Sequence, residues 1–314
     1  MAGYVRKRLL QAVLVLWGAF TLSFFLLYFL PSDAISIKLT AGGDNSLSPE
    51  QIAEIRAEYG YDRPAVLQYL DQLWKTVTGD LGRSLDSGAT VTSLIASALP
   101  QTLLLSGIAL VVGVAVGLVL GSIASHLPSE RWREALLALP PLGISIPTFA
   151  VGLILIQVVS FQWRLVPSGG NKTWDSLVLP AITLSLPVIA IVTQVFAKSL
   201  DDVLRQGYID TARGIGAGPA RIHFHHAIRN AIGPTLSMAG VIGGGLLAGT
   251  VVVETVFSRE GIGRLTVDAV TGQDLPVVQA VVLLSAATFV VINLVVDLLG
   301  PVLDRRVVFT RMSR

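Results

Sequence analysis

Six apolar runs, each long enough to cross a bilayer as a helix, constrain this chain more than any motif in it. They lie at about Leu9 to Leu30, Leu99 to Ala124, Ala135 to Phe161, Leu177 to Leu200, Gly233 to Phe257 and Val277 to Leu303. A hydrocarbon core ~30 Å thick takes about 20 helical residues at roughly 1.5 Å each, so every run suffices. Composition agrees: 52% of residues are hydrophobic, only 14% are charged, and the mean hydropathy is +0.68. Soluble domains carry roughly 25% charged residues, so the bilayer is the expected solvent. The reading is an all-α membrane protein with six transmembrane helices.

The first run follows Arg6, Lys7 and Arg8, as a secretory signal would. Its uncharged stretch of 22 residues is longer than a signal core, and no small-x-small cleavage site follows, so it reads as a permanent span. Lys and Arg then orient the chain. With both termini cytoplasmic, the inner segments hold 14 of the 23, and the short outer loops hold 4. The positive-inside rule therefore places residues 1–30 as a cytoplasmic N-terminus and first span, 31–98 outside, 99–303 as a core of five spans, and 304–314 as a cytoplasmic tail. The net charge of +2 and the lack of a continuous basic face argue against nucleic acid as a partner. The chain has no cysteine, which removes disulfides and thiolate metal sites.

The outer segment, about Pro31 to Ala98, reads as a small helical domain. Ser48-Pro49-Glu50-Gln51 has a serine N-cap, proline at the first helical position and Gln three residues on, with Ile52 and Ile55 forming an apolar side. After Gly60 and Pro64, residues Leu67, Leu70, Leu73, Trp74 and Val77 recur at helical spacing and predict a second amphipathic helix. With 9 acids against 5 bases, the domain is mildly acidic; it reads as a solvated cap over the spans, with a docking surface for an external partner as the alternative.

Within the spans, Gly113, Gly117 and Gly121 repeat every four residues, a pattern that lets helix backbones approach closely, and Gly240, Gly244, Gly245 and Gly249 suggest the same in the fifth run. Pro140, Pro141 and Pro147 interrupt the third run, and Pro180 and Pro187 the fourth. Each removes a backbone hydrogen bond, and irregular helices are tolerated where they line a cavity. Runs three to five are therefore the candidate pathway, with Ser145, Pro147, Gln157, Thr193 and Gln194 as candidate lining residues. Glu254 near the outer end of run five and Asp297 in run six are acids at membrane depth. Such acids read either as functional groups or as interfacial residues paired with a neighbouring helix. Asn293 reads as wet lining or as a bond between helices.

Soluble-type catalytic groupings are missing. All four histidines, His126, His223, His225 and His226, fall in inner loops, so no serine in a span has a histidine base beside it. A metal at the 223, 225, 226 trio lacks a matching acid pair nearby. Gly169-Gly170-Asn171-Lys172-Thr173 has neither the spacing nor the Gly before Lys of a phosphate loop. If ATP drives this protein, another chain binds it, and no cofactor is expected here.

The inner segment 201–234 is the specific part. Asp210-Thr211-Ala212 followed by Gly216 resembles the EAA loop of ABC importer permeases, and His226-Ala-Ile-Arg229-Asn230-Ala-Ile-Gly-Pro234 resembles its extended form in the peptide and nickel permeases. The resemblance covers nearly the whole chain. Arg6-Lys-Arg-Leu-Leu opens it, and Gly79-Asp-Leu-Gly-Arg-Ser-Leu85, Ser145-Ile-Pro-Thr-Phe149, Glu254-Thr-Val-Phe-Ser258 and Gly261-Ile-Gly-Arg-Leu265 continue it. Asp274-Leu-Pro-Val-Val-Gln279 and Asn293-Leu-Val-Val-Asp297 complete it.

This resemblance implies the type I ABC importer permease fold and a coupling helix that passes ATPase motion to the spans. Asp210, Thr211, Ala212, Arg213, Gly216, Arg221, His226, Arg229 and Asn230 are the implied coupling residues. Ala212 is expected to seat in a groove of the ATPase, and Gly216 to allow a sharp turn after the helix. Implied partners are a second homologous permease, two ATPase subunits or one fused ATPase carrying ATP and Mg, and an extracytoplasmic solute-binding protein, all at the plasma membrane of a prokaryote. The implied activity is uptake of di- or oligopeptides, with nickel, a chelate or another peptide-like solute as the alternative and an ion-coupled carrier outside the class. Asp210 stands where the family usually has Glu, and Gly233 where Leu is common.

Overall fold

The computed structural model describes residues 2–28 and 64–303. The expected helix start at Ser48 to Gln51, with Ile52 and Ile55, and the tail 304–314 lie outside the described residues, as do the side chains of Asn293 and Asp297. The helices are α1 (Ala2–Tyr28), α2 (Ala65–Val77), α3 (Val91–His126), α4 (Glu130–Ser145), α5 (Thr148–Leu155), α6 (Val178–Leu204), α7 (Gly207–Gly214), α8 (Ile228–Val256), α9 (Ile262–Thr271) and α10 (Leu275–Leu303). Stretches of π-helix at Ile156–Gln162 and Ile222–Ala227 extend α5 and lead into α8. The chain divides into two compact units, Met1–Pro100 with Gly261–Val290, and Gln101–Glu260 with Val291–Arg314.

In the second unit α6 is the central element, with 14 of its 27 residues buried. Its core joins Leu105 and Ala109 of α3 to Leu184, Val188 and Val192 of α6 and to Leu246 and Val253 of α8. The glycine repeat of α3 makes this contact possible. A Cβ added at Gly113, Gly117 or Gly121 would sit 2.5, 2.6 or 2.9 Å from Val188, Val192 or Phe196 respectively, so each glycine admits one ridge residue of α6. The glycines of α8 differ in what they meet. Gly249 meets Leu184, and Gly243 meets Leu110, while Gly245 faces open space.

Proline acts differently in the two runs it was expected to break. The third run is two helices, α4 and α5, set at 95° to each other across a short break. Ile146 is extended (φ −92°, ψ 128°) because the ring of Pro147 disfavours a helical residue before it. The fourth run is not interrupted. Pro180 lies in the first turn of α6, where a missing N–H has no helical acceptor to lose, and the helix continues through Pro187. Among the described residues, α1, α3 and α6 are each long and apolar enough to cross a membrane unbroken, and α4 with α5 forms a bent pair.

The first unit packs Val91, Ile95 and Ala98 of α3 with Ile262 and Ala269 of α9 and Val277, Ala280 and Val281 of α10. Its loop of residues 79–86 is fastened by one carboxylate. Asp274, 3% exposed, accepts hydrogen bonds from Ser84 Oγ (2.5 Å), Leu85 N (3.1 Å) and Asp86 N (3.3 Å). Two motifs 190 residues apart in sequence thus form one structure.

Candidate functional site

The inner segment folds as a short helix held between the ends of α6 and α8. α7 follows Gln206, whose extended backbone (φ −79°, ψ 141°) ends the preceding turn. Its C-terminus is a Schellman cap: Ala217 N donates to Ala212 O and Gly216 N to Arg213 O, both at 3.0 Å. That cap needs a left-handed residue, and Gly216 supplies it at φ +88°. An added Cβ there would meet nothing within 4 Å, so the demand for glycine is conformational and not steric.

Burial separates the expected coupling residues into two faces. Ile209 and Ala212 are buried within this chain, at 0% and 6% exposure. Ala212 therefore faces its own subunit and does not project toward a partner groove; its small side chain lets α7 lie close to the chain beneath it. Asp210, Thr211, Arg213, Gly216, Arg221, Arg229 and Asn230 are exposed, and His226 is half-buried. Arg213 pairs with Asp210 at 2.9 Å across an exposed surface. Asn230 Nδ2 donates to the Tyr208 hydroxyl (3.0 Å) and to His226 O (2.8 Å), which ties the start of α8 to α7. The C-terminal end of α6 is braced by the ion pair of Asp201 with Arg133 and by Ser199 Oγ donating to Ala231 O at 2.9 Å.

Two residues of this surface were missed by sequence reasoning. Ile215 is 82% exposed beside the cap, and Phe224 is 72% exposed on the π-helical stretch. The available signal was their setting, large apolar side chains in a segment rich in Gly, Ala, Arg and His. The histidines do not gather into one cluster: His126 meets His223 edge-on at 4.2 Å between ring centroids, and His225 meets His226 at 5.2 Å. Among the described residues, no group of three or more His, Cys, Asp or Glu side chains is placed to hold a metal ion.

The candidate pathway residues are not brought together. Thr193 is fully buried, donates to Ile189 O (2.6 Å) and lies against Gly117 and Gly121, in the α3–α6 contact. Ser145, Pro147, Gln157 and Gln194 are exposed. Ser145 Oγ donates to Pro141 O (3.2 Å) within α4, and Gln194 Nε2 of α6 donates to Leu137 O (2.5 Å), the carbonyl that the missing N–H of Pro141 leaves without its helical donor. Glu254 is fully buried and accepts from Thr102 Oγ1 at 2.7 Å.

Just beyond it, Arg259, 2% exposed, donates to Gly170 O (2.7 Å) and to Gln101 Oε1 (3.3 Å). Burial lowers the Arg259 guanidinium from its ordinary value, and the Glu254 charge opposes that shift. Gly169 lies against the Phe257 carbonyl, where a Cβ would clash, and Gly170 N donates to that carbonyl at 2.9 Å. The two glycines that lack phosphate-loop spacing thus let this loop close on the C-terminal end of α8.

The chain resembles several known proteins in both sequence and fold. Residues 113–309 match the family described as the binding-protein-dependent transport system inner membrane component, and residues 1–106 match the N-terminal region of such membrane components. The glutathione transport system permease protein GsiC of Escherichia coli (strain K12) is 38% identical over 301 residues, covering 95% of this chain and 96% of that protein. GsiC of Salmonella typhimurium (strain LT2) is 37% identical over 300 residues with the same coverage. Among solved structures, inward-facing MetNI methionine ABC transporter matches with TM-score 0.59 at 16% identity over 67% of this chain and 96% of that one. An amino acid ABC transporter with histidines matches with TM-score 0.54 at 18% identity, over 67% and 94% of the two chains. At these identities the structural matches establish the fold alone, and that fold is the type I ABC importer permease. Sequence over 95% of its length and a shared helical core together make this chain a member of the binding-protein-dependent transport system inner membrane component family, the multi-pass membrane permeases of ABC importers, in its peptide and nickel branch.

Proposed function

We propose that this chain forms half of the translocation pathway of an ATP-driven importer for short peptides, glutathione-like peptides included, and that α7 passes ATPase motion to it. The observation that carries the coupling role is the Schellman-capped α7, braced from α6 and α8, with Asp210, Thr211, Arg213 and Ile215 outward and Phe224 beside them. A rigid short helix with an exposed apolar and charged face suits a ball-and-socket contact, through which closure of an ATPase dimer moves the spans as a rigid body. Arg221, His226, Arg229 and Asn230 extend the contact. Ala212 acts from inside the subunit by seating α7.

The remaining parts follow the same reading. ATP and Mg sit on two ATPase subunits or one fused ATPase, and this chain catalyses no reaction. A second homologous permease completes the pathway, and an extracytoplasmic protein delivers the solute. Both termini and residues 201–234 are cytoplasmic, 31–98 lie outside, and the pathway is sought at the exposed Ser145, Pro147, Gln157 and Gln194, with Glu254 near its outer end.

Ile215→Asp and Phe224→Asp, on the outward face, should detach or uncouple the ATPases while the subunit still inserts. Stimulation of ATP hydrolysis by the loaded binding protein is the readout; normal stimulation and uptake in both variants would remove the coupling role. Uptake of di-, tri- and γ-linked peptides beside nickel chelates in a deletion strain tests the substrate class. Topology is tested separately: Ser87→Cys should react with an impermeant reagent in intact cells and Ser313→Cys should not.

A further inference from the structure

The amphipathic helix expected in the outer segment is α2. α2 packs on α1 through Tyr69, whose ring lies 5.5 Å from Phe20 and 5.3 Å from Phe24 between centroids. Thr21 Oγ1 donates to Trp17 O (2.8 Å), so the Tyr69 hydroxyl donates to Thr21, at 2.9 Å. That contact fixes a depth. Thr21 lies seven residues before the end of α1 at Tyr28, which is about 10 Å inward along the helix axis. Counted from Leu9, the inner edge of the first run, Thr21 is about 18 Å into a core ~30 Å thick. Tyr69 therefore meets α1 alongside the outer half of a membrane span.

At this depth α2 has an apolar face that the other described residues leave exposed. Val66, Leu67, Leu70, Trp74 and Val77 are between 54% and 73% exposed. At about 100° per residue they fall within an arc of about 100°. The opposite side carries Gln68, Gln72, Lys75 and Thr76, which with Phe24, Leu27, Asp80 and Arg83 help to line a cavity of about 510 Å³. The exposed arc continues the surface of α1, where Leu22, Phe25 and Leu26 are also exposed at the same level.

We propose that α2 is an interfacial helix embedded in the outer leaflet, with the Val66 to Val77 arc against lipid acyl chains and the polar side turned to the cavity. Three features favour lipid over a protein partner. The depth is set by Thr21, the apolar surface is continuous with a span, and the arc holds a tryptophan, a residue enriched where bilayer meets water. The outer segment is then anchored to the bilayer at its second helix. This proposal rests on α1 crossing the membrane and on the orientation proposed above, and not on the identity of the solute or on the coupling role of α7.

The test uses the assembled transporter in phospholipid nanodiscs. The chain has no cysteine, so Leu67→Cys, Leu70→Cys, Trp74→Cys and Val77→Cys carry unique nitroxide labels once partner cysteines are replaced. Collision with oxygen, which concentrates among acyl chains, should exceed collision with a water-soluble nickel chelate several-fold at all four sites. Ser87→Cys, in an exposed loop, should show the reverse. Dominant nickel collision along the arc would mean a solvated cap and overturn the proposal. Shielding from both reagents would mean a second permease or a binding protein covers the arc, and would overturn it equally.

Discussion

The α3–α6 seam and the α4–α5 limb are built from apolar sequence of similar character, yet they do opposite work. Along the seam, glycine faces Val188, Val192 and Phe196 at distances no Cβ allows, and half of α6 is buried. Along the limb, α4 has no buried residue and α5 only Gly152, and the two helices meet at 95°. Hydropathy alone does not separate them, because in a membrane an apolar side chain is equally at ease against lipid or against protein. Small residues separate them, since close approach yields contact energy without a hydrophobic driving force. The seam is a fixed element on which the exposed limb is free to meet another subunit or a solute.

The largest expected effect tests that division directly. Gly117→Leu places four carbons where Val192 already stands, so the complex should lose about 1–3 kcal/mol of stability or fail to assemble, read as its thermal unfolding midpoint in detergent. Ser145→Trp, on the exposed limb, should leave the midpoint within the shift of an ordinary surface change, about 0.5 kcal/mol, and still abolish uptake. If both variants unfold alike, Ser145 is packed between helices in the assembly and the contrast collapses.

What the sequence made legible follows the same line. The glycine seam, the Gly216 turn and the α2 periodicity are local patterns whose physics needs no partner, and each appears in the structure. Residues whose role depends on tertiary pairing were not legible. Asp274 gains its meaning only when it caps Ser84 and Leu85, and Arg259 only when Gly170 and Gln101 surround it. Ala212 was read as facing outward because a three-residue motif does not say which side of its helix is covered. Pro187 was read as a break because the packing that holds α6 helical around it lies in α3 and α8.

An intermediate effect is expected at Gly216, where the coupling segment can be graded rather than broken. A β-branched residue at φ +88° costs about 1–3 kcal/mol locally, so Gly216→Val should unwind the cap and lower coupled ATP hydrolysis by tenfold or more. Asn tolerates the left-handed region better than other side chains, so Gly216→Asn should retain a larger share of transport. With no atom within 4 Å of an added Cβ, steric bulk does not explain such an order; equal loss in both variants would point to contact between this site and a partner.

The smallest structural effect sharpens the comparison most. Asp210 and Arg213 pair at 2.9 Å, but their side chains are 72% and 55% exposed, and an ion pair so open to water contributes less than about 0.5 kcal/mol. The double variant Asp210→Ala with Arg213→Ala should therefore unfold at the same temperature as the parent, unlike Gly117→Leu. α7 would remain seated through Ile209 and Ala212 and closed by its Schellman cap, which uses the backbone carbonyl of Arg213 and neither side chain of the pair. If uptake and stimulated ATP hydrolysis then fall severalfold in the assembled complex, the loss cannot come from the fold of this subunit. It must come from a partner that reads these two charges, and the loss caused by the single reversal Arg213→Glu should then be restored by reversing the facing charge on that partner. Full activity in the double variant would instead shift the contact to the apolar pair Ile215 and Phe224, leaving the charges as solvated surface.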